Sequence, residues 1–114
     1  MTHEIVKLLQ PHRFLIGSET TVQNQVASVL DGAGIDYSRE HRLDRKNRID
    51  FLSGSTGIEI KIKGAKRGIY RQIKRYCAFD EVTEIVLLTG VAIGMPDQIN
   101  GRPIHIVSLG AAWI

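Results

Sequence analysis

The chain has 114 residues, 43% of them apolar and 24% charged, with a formal net charge of +3. That length suits one domain, residues 1–114, with its own apolar core, and the lone Cys77 excludes both an intramolecular disulfide and a cysteine-rich zinc module. The longest apolar run, Ile85 to Met95, is broken by Thr89, Gly90 and Gly94 and is too short to cross a bilayer, so no membrane partner is expected.

Glu4, Lys7 and Arg13 interrupt the apolar start, which therefore lacks the core of a secretory signal, and the expected location is intracellular, in the cytoplasm of a bacterial or viral host cell. Thr2 to Leu9 reads as a short helix stopped by Pro11. Ser18 is a good N-cap for a second helix, with Val22, Val26, Val29, Leu30 and Ala33 at helical spacing and an end near Gly32 or Gly34. A strand around Tyr37–Leu43 follows, then a turn at Asp44–Asn47.

Arg48 to Gly64 reads as two strands joined by a small-residue turn at Ser53–Gly57. Strict alternation puts Ile58, Ile60 and Ile62 on one face and Glu59, Lys61 and Lys63 on the other. On the preceding strand, Ile49 and Phe51 are expected to face one way and Asp50 the other. Folding the pair together brings Asp50 near Glu59 and Lys61. A further helix is predicted from Gly68 to about Phe79, with Ile69, Ile73, Tyr76 and Phe79 as its buried stripe. Glu84–Thr89 is nearly continuous apolar and reads as a central strand, and Ile104–Val107 as a last strand after a turn at Asn100-Gly101. Pro96-Asp97 reads as loop. The order is α-β-β-β-α-β plus a C-terminal strand. It implies an α/β fold with a mixed β-sheet flanked by helices: an antiparallel meander, then a helical crossover to a parallel neighbour. Trp113 and Ile104–Val107 fit either a core or an interface between subunits.

Two carboxylates and a lysine converging on one hairpin can hold a divalent cation beside a phosphate. The same alternation is also what a half-buried strand shows on a solvated face, where Asp/Lys and Glu/Lys pairs stabilise a sheet by a few tenths of a kcal/mol. Glu19 is a third carboxylate. It lies three residues before Val22, so it either looks inward over the sheet edge or complements the helix dipole. Gln72 and Tyr76, four apart on the helix, either reach a phosphate or a site residue, or are a boundary amide and a core aromatic.

Ten of the 15 Lys and Arg residues fall between Asp44 and Arg75, against Asp44, Asp50 and Glu59. Such a local basic field attracts a polyanion, although a solvated basic helix face has the same composition. Arg45, Lys46, Lys63, Lys66 and Arg67 are candidate DNA phosphate contacts, joined on the helix by Arg71, Lys74, Arg75 and Tyr76.

Glu19, then Asp50, then Glu59-Ile60-Lys61, then Gln72-Ile-Lys-Arg-Tyr76 resembles the PD-(D/E)xK nuclease superfamily. Within it the chain is similar to stand-alone virus-type replication-repair nuclease domains and archaeal-type Holliday junction resolvases. The resemblance runs from about Ser18 to Thr89. Ile49 stands where the proline that names the motif would be, a position that varies widely among relatives. The resemblance implies a restriction-endonuclease-like core and a metal-dependent endonuclease acting on branched DNA, as a homodimer. It further implies Mg²⁺ or Mn²⁺ held by Asp50, Glu59 and the carbonyl of Ile60. Glu19 would complete the shell directly or through water. Lys61 would act on the attacking water or the transition state, with Gln72 and Tyr76 holding the metal shell or the cleaved strand. The competing expectation is a non-catalytic basic nucleic-acid-binding module whose carboxylates form structural ion pairs.

Overall fold

The computed structural model describes residues 1–109; Trp113 lies outside the described residues. Among the described residues nine elements follow one another: α1 (Thr2–Leu9), α2 (Glu19–Gly32), β1 (Ser38–Arg42), β2 (Arg48–Ser53), β3 (Thr56–Lys61), α3 (Lys66–Tyr76), β4 (Glu84–Thr89), β5 (Gln98–Ile99) and β6 (Arg102–Ser108). The six strands form one sheet in the order β1-β2-β3-β4-β6-β5. β1, β2 and β3 are an antiparallel meander, while β3–β4 and β4–β6 are parallel. The expected α/β architecture, a mixed sheet flanked by helices, is therefore the one observed, and β4 is central in it.

α2 begins and ends on the residues that propensity singles out. Ser18 Oγ accepts a hydrogen bond from Thr21 N–H at 3.1 Å. Gly34, at φ +70°, closes the C-terminus in a Schellman arrangement, with Ile35 N–H donating to Leu30 O and Gly34 N–H to Asp31 O. Val22, Val26 and Leu30 are buried, whereas Ala33, past the last helical turn, is exposed rather than part of the stripe.

The sheet is covered on both sides. α1 and α2 pack on one face against Phe51, Ile58, Ile60, Val86 and Leu88. α3 packs on the other through Ile69, Ile73 and Tyr76, against Ile85, Leu87 and Ile104. α3 starts two residues before Gly68, from Ala65 with no side-chain cap, and ends at Tyr76 rather than Phe79. Two further differences from expectation stand out. β5, a two-residue strand, pairs with β6 across the Asn100-Gly101 turn. Ile49 and Phe51 share the period-2 parity but lie in opposite cores, Phe51 under α1 and α2 and Ile49 under α3. Ile104 and Val107 are buried within the sheet cores. Among the described residues, no helix is long and apolar enough to cross a membrane.

Candidate active site

The site begins where the β2–β3 hairpin comes apart. A two-residue loop, Gly54-Ser55, joins the strands; only its first residue has positive φ, +59°, the feature of a II′ turn, which matches strand twist. The ladder runs Ser53↔Thr56, Leu52↔Gly57 and Phe51↔Ile58 and then stops. The next pair would be Asp50 and Glu59. Instead, each carboxylate serves a main-chain amide of the opposite strand. Ile60 N–H donates to Asp50 Oδ2 at 2.9 Å, and Asp50 N–H donates to Glu59 Oε1 at 3.1 Å. Two amides that would lose their ladder partners are thereby satisfied. This local break also explains why Ile49 turns to the α3 side.

The face carrying Glu59 is not solvated. Glu59 is only 3% exposed, on the side of the sheet that α3 covers. Burial pushes its carboxyl up to about 8, with the neighbouring Asp50 charge adding to the effect. Burial likewise raises Asp50 to about 6, opposed by the Ile60 N–H and reinforced by the charges of Glu40 and Glu19. Lys61 Nζ lies 3.6 Å from Glu59 Oε2. Both carboxyls are thus displaced upward together, so the protonated form of the pair is favoured relative to free carboxylates.

Glu19, exposed in the first turn of α2, reaches the end of β3, where its Oε2 accepts from Ile62 N–H at 3.3 Å. Its charge is felt at Asp50. Even so, among the described residues no three His, Cys, Asp or Glu side chains gather closely enough to hold a metal ion. Asp50 and Glu59 are thus brought together at the ladder break, while Glu19 bonds to the main chain at the end of β3. The pair's oxygen donors still fit a hard cation. Mg²⁺ keeps several waters and needs only one or two carboxylates, and the raised carboxyl groups mark a place where positive charge is in short supply.

Tyr76 is 1% exposed. Its hydroxyl donates to the Arg48 carbonyl at 3.0 Å and receives Gln72 Nε2 at 2.7 Å, while burial and the nearby Glu59 charge raise its pKa. The phenol is therefore a strut between α3, β2 and the carboxylates, and Gln72 is engaged with it. Gln72 also borders two concavities. One, of about 200 Å³, includes Lys61 and Lys63. The other, of about 350 Å³, includes Lys46 and Arg75 together with Arg42 and Arg48. Arg45, Lys66, Arg67, Arg71 and Lys74 are exposed and line neither.

Glu40, Arg42 and Arg48 were not singled out by the sequence as site residues. Glu40 falls opposite Asp50, between the pairs Arg39↔Phe51 and His41↔Ile49, and adopts φ +52°, rare for a side-chain-bearing residue. It also pairs with Arg48 at 3.6 Å. No residue pattern announces a left-handed glutamate inside a strand.

Comparison with known proteins returned no match to a family model, a curated protein or a solved structure.

Proposed function

We propose that the chain is a divalent-metal-dependent endonuclease of the PD-(D/E)xK type, with a restriction-endonuclease-like core, hydrolysing phosphodiester bonds in DNA. One observation carries this reading: Asp50 and Glu59 are held side by side at the break in the β2–β3 ladder, beneath α3, with Lys61 at 3.6 Å from Glu59. A surface ion-pair network would leave these groups in water. Here burial makes their charged forms costly unless a counter-charge arrives.

Asp50 and Glu59 would hold Mg²⁺ or Mn²⁺, with Glu19 within electrostatic reach. Such an ion would supply a water of lowered pKa and offset the charge that builds on the phosphate. Filling the site would favour release of protons from the pair, whose carboxyls are both raised. Lys61 Nζ, 3.6 Å from Glu59 Oε2, would orient the attacking water or hold positive charge beside the phosphate. Tyr76 and Gln72 would fix the distance between α3 and the carboxylates. The exposed cations of α3 and of the Asp44–Asn47 turn would hold the polyanion without reading its sequence. Branched DNA is the proposed substrate and a homodimer the proposed unit, because a four-way junction needs paired incisions.

The amide hydrogen bonds of Asp50 and Glu59 favour a second reading, in which the pair only closes the sheet and the protein binds nucleic acid without cutting it. The two readings separate on a labelled panel of four-way junction, flap, nicked duplex and linear duplex with Mg²⁺ or Mn²⁺. Metal-dependent cutting that Asp50→Ala and Lys61→Ala each reduce by about a hundredfold or more is expected of the nuclease. Binding without cutting, unchanged in both variants, would leave the binding module.

A further inference from the structure

The concavity between the β1–β2 turn and α3 contains four cationic side chains and little to neutralise them. Arg42, Lys46, Arg48 and Arg75 line it, over a floor of Gln72 and Tyr76, and it measures about 350 Å³. Among the described residues its one ion pair is Glu40–Arg48, at 3.6 Å between partly exposed groups. Asp44 acts on Lys46 from a distance, but its Oδ1 is committed to the turn. It accepts from Lys46 N–H at 2.8 Å, Asn47 N–H at 2.7 Å and Asn47 Nδ2 at 3.1 Å.

Arg75 and Arg42 are also braced by neutral acceptors, which leave most of their donors free. Arg75 Nε donates to Asn47 Oδ1 at 3.2 Å, and Asn47 is itself fixed by Asp44. Arg42 Nη1 donates to the Arg45 carbonyl at 3.4 Å. Beneath them, the Arg48 carbonyl is held by the Tyr76 hydroxyl. Guanidinium groups held in place with free N–H groups are suited to phosphate oxygens.

We propose that this concavity is a site for a phosphate monoester, the terminal phosphate of a nucleic-acid strand. Four cations opposed by the paired Glu40 and, at a distance, by Asp44 keep an excess of positive charge that favours a doubly charged phosphate over the singly charged diester of an internal linkage. The strand identity rests on the nuclease reading, whereas the phosphate chemistry does not. Gln72 borders both this concavity and the one holding Lys61 and Lys63. A strand anchored here by its end would therefore pass across Gln72 towards the carboxylates. The site would distinguish an end from an interior stretch of chain.

The test measures dissociation constants in EDTA for one single strand carrying a 5′-phosphate, a 3′-phosphate or only hydroxyl ends. A phosphate at one end should tighten binding by about tenfold, and inorganic phosphate should remove that advantage on the wild-type protein. Arg75→Gln and Arg42→Gln should abolish the advantage. Arg71→Gln, an equal loss of charge on α3 outside the concavity, should weaken all strands alike and preserve it. A mononucleotide binding as tightly as the strand would assign the same pocket to free nucleotides. Equal affinity for phosphate-ended and hydroxyl-ended strands, or an advantage that survives both pocket variants, would overturn the proposal. Because no metal is present, the nuclease reading is scored separately. End preference without metal-dependent cutting keeps the pocket and loses the nuclease, and cutting without end preference does the reverse.

Discussion

At the scale of single residues, Glu59 is buried and Asp50 half-buried at the break in the β2–β3 ladder with one lysine close by, and their charged forms are correspondingly disfavoured. Their carboxyls rise from 4.5 and 3.8 to about 8 and about 6. The folded state therefore binds protons that the unfolded chain has already released. The stability this represents is fully present below about pH 4 and is lost as pH rises through 6 and then 8. Glu59→Gln keeps a neutral acceptor for Asp50 N–H without the charge. In EDTA it should be more stable than wild type at pH 8, by on the order of 1–2 kcal/mol, with the gain gone at pH 4.5. Thermal melts at the two pH values check this, and a gain equal at both would mean that Glu59 carries no buried charge.

Among the elements, the β2–β3 hairpin sets the site because it is tight at one end and open at the other. Gly57 shapes the closed part: a Cβ there would collide with Ile49 Cδ1, the side chain that crosses to the α3 side. Gly57→Ala should destabilise by about 1–3 kcal/mol. Ile49→Val removes the clashing methyl, so in denaturant unfolding the double variant should cost clearly less than the two single changes added together. Simple additivity would show that the two residues do not share that space. The hairpin, the crossover through α3 and the α2 caps were legible in the sequence because each rests on local chemistry, such as Ser18, Gly34 and the isoleucines of β3. The break at Asp50 was not, because alternation assumes an unbroken ladder, and it misassigned Ile49. Glu40 escaped for a related reason: its left-handed backbone depends on the strand opposite. β5 is too short for periodicity to register. The early start of α3 was missed because Ala65 offers no capping side chain. The carboxylate pair itself was legible as a spacing, but its burial was not, since only α3 folding over that face removes it from water.

For the whole molecule, the sheet separates an apolar layer, α1 and α2 on one core, from a layer whose outward surface is basic, with Lys66, Arg67, Arg71, Lys74 and Arg75 exposed along α3. If these meet phosphates, the logarithm of DNA affinity should fall linearly with the logarithm of salt concentration. Replacing any one of them with Gln should reduce that slope by about one. A slope unchanged in every such variant would put the polyanion elsewhere on the protein. The same arrangement sets α3 over Glu59, beside the proposed cation position. The most direct measurement is a Mn²⁺ titration by calorimetry at pH 7 in two buffers of different ionisation enthalpy, on wild type, Asp50→Asn and Glu59→Gln. Saturable binding to wild type with net proton release, the direction set by the raised carboxyls, and marked loss of binding in both variants are expected. Absence of saturable binding, or binding that both variants retain, would contradict a metal site at the carboxylate pair.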